Sequence, residues 1–320
     1  MRIWLVFVVW TASLAIAGAQ DFPNRPITLV VPFPAGGAAD GVGRTIAEAL
    51  RDQIGQTVVV DNKVGGNTVV GMQYVSRAPA DGYTLLLSSE AGQAVLPAID
   101  PNFKIDALGE FTPLSLSAGF GHALVVRKSL GINSVQELIT RAKAEPGKLN
   151  FGSGGAGTAS QISMELLKRR VGIDMVHVPY RGSQAAWTDL IGGTLDFNVQ
   201  SMPVLTPHIG NPNIKILAVL SPKRIENLPD VPSMVELGFP GFIFTSWMAV
   251  FGPAALPTPI IQRLENALVA GLKSPETRKR LQAIGFDPLG TGAKELDEFQ
   301  RSEAQKWKDI ARETGFSMPR

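Results

Sequence analysis

The chain has 320 residues, 30 Lys and Arg against 28 Asp and Glu for a net charge of +2, and no cysteine. That length accommodates two domains of ordinary size with a sizeable core. Charges of both signs are spread without blocks, so neither nucleic acid nor an anionic membrane surface is an expected partner, and the missing cysteines exclude thiol catalysis and cysteine-ligated metal.

Arg2 precedes an apolar and small-residue stretch from Ile3 to Ala17, then Ala17-Gly18-Ala19 and a polar start at Gln20 and Asp21. A charged beginning, an apolar middle and an A-x-A site predict a secretory signal peptide over 1–19, cleaved after Ala19. The apolar run is short for a membrane span, and an uncleaved anchor is the rival reading. The mature protein is expected to be exported without inserting in the membrane.

Ile27, Leu29, Val30 and Val31 predict a strand, Pro32-Phe33-Pro34 a stiff turn, and Ala35-Gly36-Gly37 a loop. Val42, Ile46, Ala49 and Leu50 then recur at steps of three and four, which predicts a helix from about Asp40 to Arg51 with one apolar face. Strand, glycine loop and helix together aim unpaired N–H groups and the positive end of a helix dipole at whatever lies above the loop, an arrangement that favours an anion. Asp40 alone is explained as a first-turn acid matching that dipole.

Thr57 to Asp61 and Tyr83 to Leu87 predict further strands around a short helix at Val69 to Arg77. Alternating strands and helices indicate a parallel sheet covered on both faces, and ligands in such sheets bind beyond the carboxyl ends of the strands. Ser88, Ser89 and Glu90 stand at such an end. A polar, proline-punctuated passage from Ala98 to Pro113 reads as a loop before a strand near Ala123 to Arg127, and Ser134-Val135-Gln136-Glu137 reads as a capping box.

Lys148 to Phe151 lead into a second glycine loop, Gly152-Ser153-Gly154-Gly155-Ala156-Gly157-Thr158, followed by a helix containing Ile162, Leu166 and Leu167. Two such units in one chain suggest two lobes offering helix ends to one cleft. Met175 to Val178 and Ile216 to Leu220 predict strands, and Phe239 to Gly252 an apolar return to the first lobe. Thr258-Pro259 and Ser274-Pro275 predict capped helices, and Lys294 to Glu313 a final one.

Gly152-x-Gly154-x-x-Gly157 matches the dinucleotide motif, with Asp174 about twenty positions on. In that fold the acid ends the second strand, whereas Asp174 precedes the strand at Met175 to Val178. Ser153 is not in G-x-S-x-G, no Walker loop occurs, and His122, His177 and His208 have no metal-ligand spacing; no catalytic set, metal or cofactor is expected. Thr158 and Gln161 fit a further capping box, which does not exclude a ligand role for Thr158.

The chain closely resembles the substrate-binding proteins of tripartite tricarboxylate transporters, the Bug family. The resemblance rests on Val31-Pro32-Phe33-Pro34-x-Gly36-Gly37-x-x-Asp40, Asp81-Gly82-Tyr83-Thr84-Leu85, Gly147-Lys148-Leu149-Asn150-Phe151-Gly152-Ser153, His177-Val178-Pro179-Tyr180-Arg181-Gly182 and Leu228-Pro229-Asp230-Val231-Pro232. It implies an α/β, two-lobed type II periplasmic binding protein fold, each lobe a mostly parallel sheet flanked by helices. Lobe 1 is expected over 20–124 and 237–320, and lobe 2 over 125–236.

The resemblance further implies a ligand carboxylate held by Phe33, Ala35, Gly36 and Asp40 of the first loop and Ser153, Gly157, Thr158 and Ala159 of the second. Ser88 is added as a strand-end hydroxyl and Gln200 as standing near an asparagine of the family. A small-molecule carboxylate, received in the periplasm by a monomer and passed to a large and a small membrane subunit, is the implied function. A ligand-sensing subunit of a membrane signalling protein and an exported NAD-dependent oxidoreductase are the alternatives.

Overall fold

The computed structural model describes residues 22–155, 157–180, 182–225 and 227–318; the expected signal peptide lies outside them. β1 (Ile27–Val31) is apolar toward both sides and almost entirely buried, as a strand covered on both faces must be. It leads to α1 (Ala38–Ile54), which buries Val42, Ile46, Leu50 and Ile54 and ends at Gly55 with φ 77. β2 (Val58–Asn62), α2 (Val69–Ser76) and β3 (Thr84–Ser89) follow, and β1 pairs in parallel with both neighbours. A π turn at Ala91–Val95 then runs into the short α3 (Leu96–Ile99).

β4 (Phe111–Arg127) is 17 residues long and begins well before the strand expected at Ala123. Leu114 to Gly121 alternates apolar residues with serine and glycine, which is the period of a strand, but both serines are buried and the ladder shifts register after Pro113 and Leu116, so the pattern marks no solvent face. Beyond it, α4 (Val135–Ala144) opens with Ser134 Oγ accepting the Glu137 N–H at 3.1 Å. The Glu137 carboxylate reaches the Asn133 N–H, one residue earlier than a capping box places it.

The second lobe continues through β5 (Asn150–Ser153), α5 (Ala159–Val171), β6 (Val176–Pro179), α6 (Ser183–Gly192), β7 (Phe197–Ser201), α7 (Met202–Leu205) and β8 (Ile214–Val219). β9 (Thr245–Pro253) returns the chain, followed by α8 (Thr258–Lys273), α9 (Pro275–Ala283), the two-residue β10 (Asp287–Pro288) and α10 (Ala293–Thr314). Thr258 is the first helical residue of α8 and makes no cap, whereas Ser274 caps α9 by accepting the Thr277 N–H.

β4 belongs to both lobes. Up to Gly121 it pairs antiparallel with β9; from His122 it pairs antiparallel with β7, and β8 lies on its other edge. β3 is antiparallel to β9, so β1, β2 and β3 run in the sense of β4, toward the second lobe. β7 opposes β4, and β5 and β6 are parallel to β7, so these three run toward the first lobe. The carboxyl ends of both parallel sets therefore face each other, and the loops after β1, β3, β5, β6 and β7 open on one cleft.

One hydrophobic cluster runs through both lobes, from Leu86 and Val95 to Phe151 and Leu166, and is covered by Trp307 and Ile310 of α10. The opposite faces carry separate cores, Leu29, Ile46 and Leu268 in the first lobe and Val125, Trp187 and Leu205 in the second. At its end α10 reaches α5, where Arg170 pairs with Glu313 and Arg169 donates to the Glu313 carbonyl at 2.8 Å.

Candidate functional site

In the first loop Asp40 is 3% exposed, yet it is ionised. One carboxylate oxygen accepts Arg44 Nε at 2.8 Å and the Gly36 N–H at 2.9 Å, and the other accepts Asn62 Nδ2 at 2.9 Å. The Arg44 hydrogen bond is the chief reason that its pKa falls from 3.8 to about 2, against the opposing effect of burial. Asn62 also donates to the Phe33 carbonyl at 3.0 Å, so the end of β2 ties the turn from both sides.

This network uses the Gly36 amide internally. Pro34 to Ala38 are exposed at the mouth of the cleft, and the donors left for a ligand are the first-turn amides of α1 at Ala38 and Ala39. Gly36 has φ +80 and open space where a Cβ would stand, so Gly36→Val meets backbone strain and no neighbour. The expected cost is about 1–2 kcal/mol in a urea titration; a loss of 4 kcal/mol or more, on the order of a core truncation, would mean that the turn packs against something else.

The second loop is bonded in the same self-contained way. Ser160 Oγ accepts the Gly154 N–H at 3.1 Å, Ser153 Oγ the Gly155 N–H at 3.2 Å, and Gln161 Oε1 the Gly157 N–H at 2.9 Å. Thr158 is the N-cap residue of α5 but does not cap it with its side chain; its hydroxyl donates to the Gly155 carbonyl at 2.7 Å. The expected Thr158–Gln161 capping box is thus replaced by a Gln161–Gly157 bond, because Gly155 turns its carbonyl toward the hydroxyl. The Ala159 and Ser160 amides remain as outward donors at the start of α5.

Ser88 lies fully buried on β3 with no hydrogen-bond partner for its Oγ. Gln200, 1% exposed, donates to the Ser183 carbonyl at 3.2 Å and accepts the Ser201 N–H. Phe33 is half-buried against the first-lobe core, Ala35 is exposed, and Ala159 packs on the shared cluster. The topology thus brings Phe33 to Asp40 and Ser153 to Ala159 to facing loops, while Ser88 and Gln200 lie in the floor. Trp247 is core, packed on Phe299.

Two further features belong to this floor, Thr68, which nothing in the sequence marks, and Glu90, which stands at a strand end. Thr68, at the start of α2, is buried at φ 82 beside Gly92 of the π turn, a backbone conformation that a β-branched residue seldom adopts. Glu90 accepts the Trp247 N–H at 3.1 Å; burial pushes its carboxyl up, and Glu303 nearby adds to that, while Ser246 and Trp247 hydrogen bonds oppose it. Proximity of Ser89 and Glu90 to a strand end was the only signal in the sequence.

The arrangement suits binding more than bond cleavage. Ser153 Oγ is 2.7 Å from His177 Nε2, and Ser153 is 1% exposed. Among the described residues no group of three His, Asp or Glu is placed to hold a metal. A cavity of ≈ 620 Å³ on the flank of the lobes, lined by Met202, Thr206, Gln282 and Phe286, contains none of the loop residues. Of the two cations that line it, Lys223 and Arg224, Arg224 pairs with Glu236, whereas the converging helix ends face each other across the cleft.

Two opposed lobes on a shared strand, with helix ends converging on the cleft between them, define a two-lobed solute-binding protein of the type II periplasmic kind. The model of the tripartite tricarboxylate transporter family receptor matches residues 42–316, and the chain belongs to that family. It is 34% identical over 314 residues to protein BugT of Bordetella pertussis, covering 98% of this chain and 96% of that one. Among solved structures, R. palustris Rpa4515 with adipate is 33% identical at a TM-score of 0.80, covering 93% of this chain and 99% of the other. MatC from Rhodopseudomonas palustris with bound malate is 28% identical at 0.75, covering 90% and 99%.

Proposed function

We propose that this protein captures a small organic carboxylate in the interlobe cleft and delivers it to the membrane subunits of a tripartite tricarboxylate-type transporter. The observation that carries this reading is the face-to-face placement of the α1 and α5 N-termini, each with first-turn amides left over after its own loop is satisfied. The dicarboxylates in the two related structures support the chemistry. The N-terminal segment directs export to the periplasm, and the protein acts as a monomer without catalysing a reaction.

In this reading Phe33, Ala35 and Gly36 form one wall and Gly157, Thr158 and Ala159 the other, while Asp40, Ser153 and Gln200 hold those walls in place. Lobe boundaries near 124 and 237 follow, with bending where β4 changes partners at Gly121–His122. Three or four hydrogen bonds to a charged group, at about 1.5–3 kcal/mol each, plus up to about 2 kcal/mol from the helix ends, offset desolvation and ordering to leave about 8 kcal/mol, a micromolar Kd.

A thermal-shift series with adipate, malate, monocarboxylates and NAD tests the reading. At roughly one hundred times Kd a ligand adds about 2.7 kcal/mol, a rise of about 4 °C. No shift with any carboxylate, or a shift with NAD alone, overturns it.

A further inference from the structure

His177 pairs with Phe151 across β5 and β6, and its ring stacks on the Phe151 ring at 4.9 Å with 24° between planes. That contact fixes the plane of the imidazole and aims Nε2 at Ser153 Oγ, 2.7 Å away. Ser153 Oγ in turn receives the Gly155 N–H, and the Gly155 carbonyl receives the Thr158 hydroxyl. Gly155 stands at φ +118, a conformation reserved in practice for glycine, so its peptide is oriented only by what bonds its two ends.

We infer that His177 is a positioning residue for the second anion loop: its Nε2 accepts a hydrogen bond from the Ser153 hydroxyl, which orients the Ser153 lone pairs toward the Gly155 amide and so sets the entry into α5. The inference rests on the proposed carboxylate site only for its functional consequence. A serine hydroxyl has one proton and two lone pairs. The other acceptor within its reach is the Gly155 carbonyl at 3.5 Å, a poor bond by geometry and one already given to Thr158.

The imidazole has to be neutral at Nε2 to accept. Burial depresses the His177 pKa, and the charged groups facing the ring, Glu165 and Lys168 of α5, act in opposite directions, Glu165 raising it and Lys168 lowering it. The neutral ring is therefore favoured at neutral pH, and Nε2 accepts in the tautomer that carries its proton on Nδ1.

The test uses adipate as the probe, with Kd by titration calorimetry and Gly155 amide exchange by NMR. His177→Leu keeps bulk and removes the acceptor; His177→Gln returns an amide oxygen to the neighbourhood of Nε2; Ser153→Ala removes the relay. His177→Leu and Ser153→Ala should each weaken adipate binding about tenfold, with His177→Gln within about threefold of the parent, and the Leu/Ala double variant no weaker than either single one. Gly155 amide exchange should quicken in the Leu and Ala variants and stay slow in the Gln variant. Additive losses, or a Gln variant as weak as Leu, would reduce His177 to packing and overturn the inference. If the parent does not bind adipate, that counts against the carboxylate reading, and the Gly155 exchange pattern alone decides the positioning role.

Discussion

Asp40→Ala should destabilise the protein by about 3 kcal/mol and raise the Kd of any bound carboxylate at least about tenfold. The carboxylate is the common acceptor for Gly36, Arg44 and Asn62, which come from the loop, from α1 and from β2. Its removal takes the acceptor from the Gly36 amide of the exposed turn and one of the two acceptors from the half-buried Asn62 amide, while Arg44, half-exposed, can rehydrate. Loss of the Gly36 bond frees a glycine at φ +80, so the start of α1 is no longer held toward the cleft. Asp40→Asn keeps the shape and loses the charge; at neutral pH it should cost about 2 kcal/mol, in line with a pKa held near 2 instead of 3.8. The sign is that of a depressed acid: the stabilisation is present above pH 3.8 and is lost as pH falls through about 2. Urea titrations at pH 7 and calorimetry on both variants measure the two effects. A stable Asp40→Ala protein with unchanged affinity would mean that the network neither holds nor orients the loop.

The same residue illustrates how far a sequence reading reaches. Strand, glycine loop and helix were legible twice, because apolar runs, helical spacing and the closing glycines at Gly55 and Gly172 are each local signals, and both glycines are left-handed C-caps. The repeat of that unit is what suggested two lobes facing one cleft. The direction of individual donors did not follow. Glycine loops at helix starts suggest that glycine amides meet the ligand, yet Gly36, Gly154, Gly155 and Gly157 all spend their N–H groups on Asp40, Ser160, Ser153 and Gln161. Which hydroxyl serves which amide depends on side-chain rotamers that no spacing rule encodes. Thr68 was hidden for a related reason: it closes a run of left-handed residues from Gly65 through Asn67, and threonine itself gives no hint of that conformation. Self-satisfied loops have a functional merit, since the first-turn amides of α1 and α5 then arrive preorganised and a ligand need not displace internal bonds.

The second large effect is expected with pH, at the crossover. The His122 carbonyl accepts the Leu220 N–H at 2.7 Å, the Leu220 carbonyl accepts the Phe244 N–H at 2.8 Å, and the Phe244 carbonyl lies 3.1 Å from His122 Nδ1. With the proton on Nδ1, these bonds close a ring through the two segments that cross between the lobes and the residue that follows β8. His122 is 6% exposed, and burial lowers its pKa from 6.5 to about 4, with the Phe244 carbonyl working against that shift. Between pH 6.5 and 4 the unfolded imidazole takes a proton that the folded one refuses, so stability falls as pH falls across that window and the loss is complete below it. The His122 contribution to this loss is about 3 kcal/mol from pH 7 to pH 4. Glu90 acts with the opposite sign, because its raised pKa means that the folded state keeps a proton the unfolded state has released above 4.5. The informative quantity is therefore the difference between the parent and His122→Asn, whose amide can still donate to Phe244 but does not titrate. His122→Asn should start less stable at pH 7 and lose about 3 kcal/mol less on acidification, read from urea titrations at both pH values. Parallel pH profiles for the two proteins would show that the crossover histidine takes up its proton as readily in the folded state as in the unfolded one, and that the ring of bonds between the lobes is not what acid disrupts.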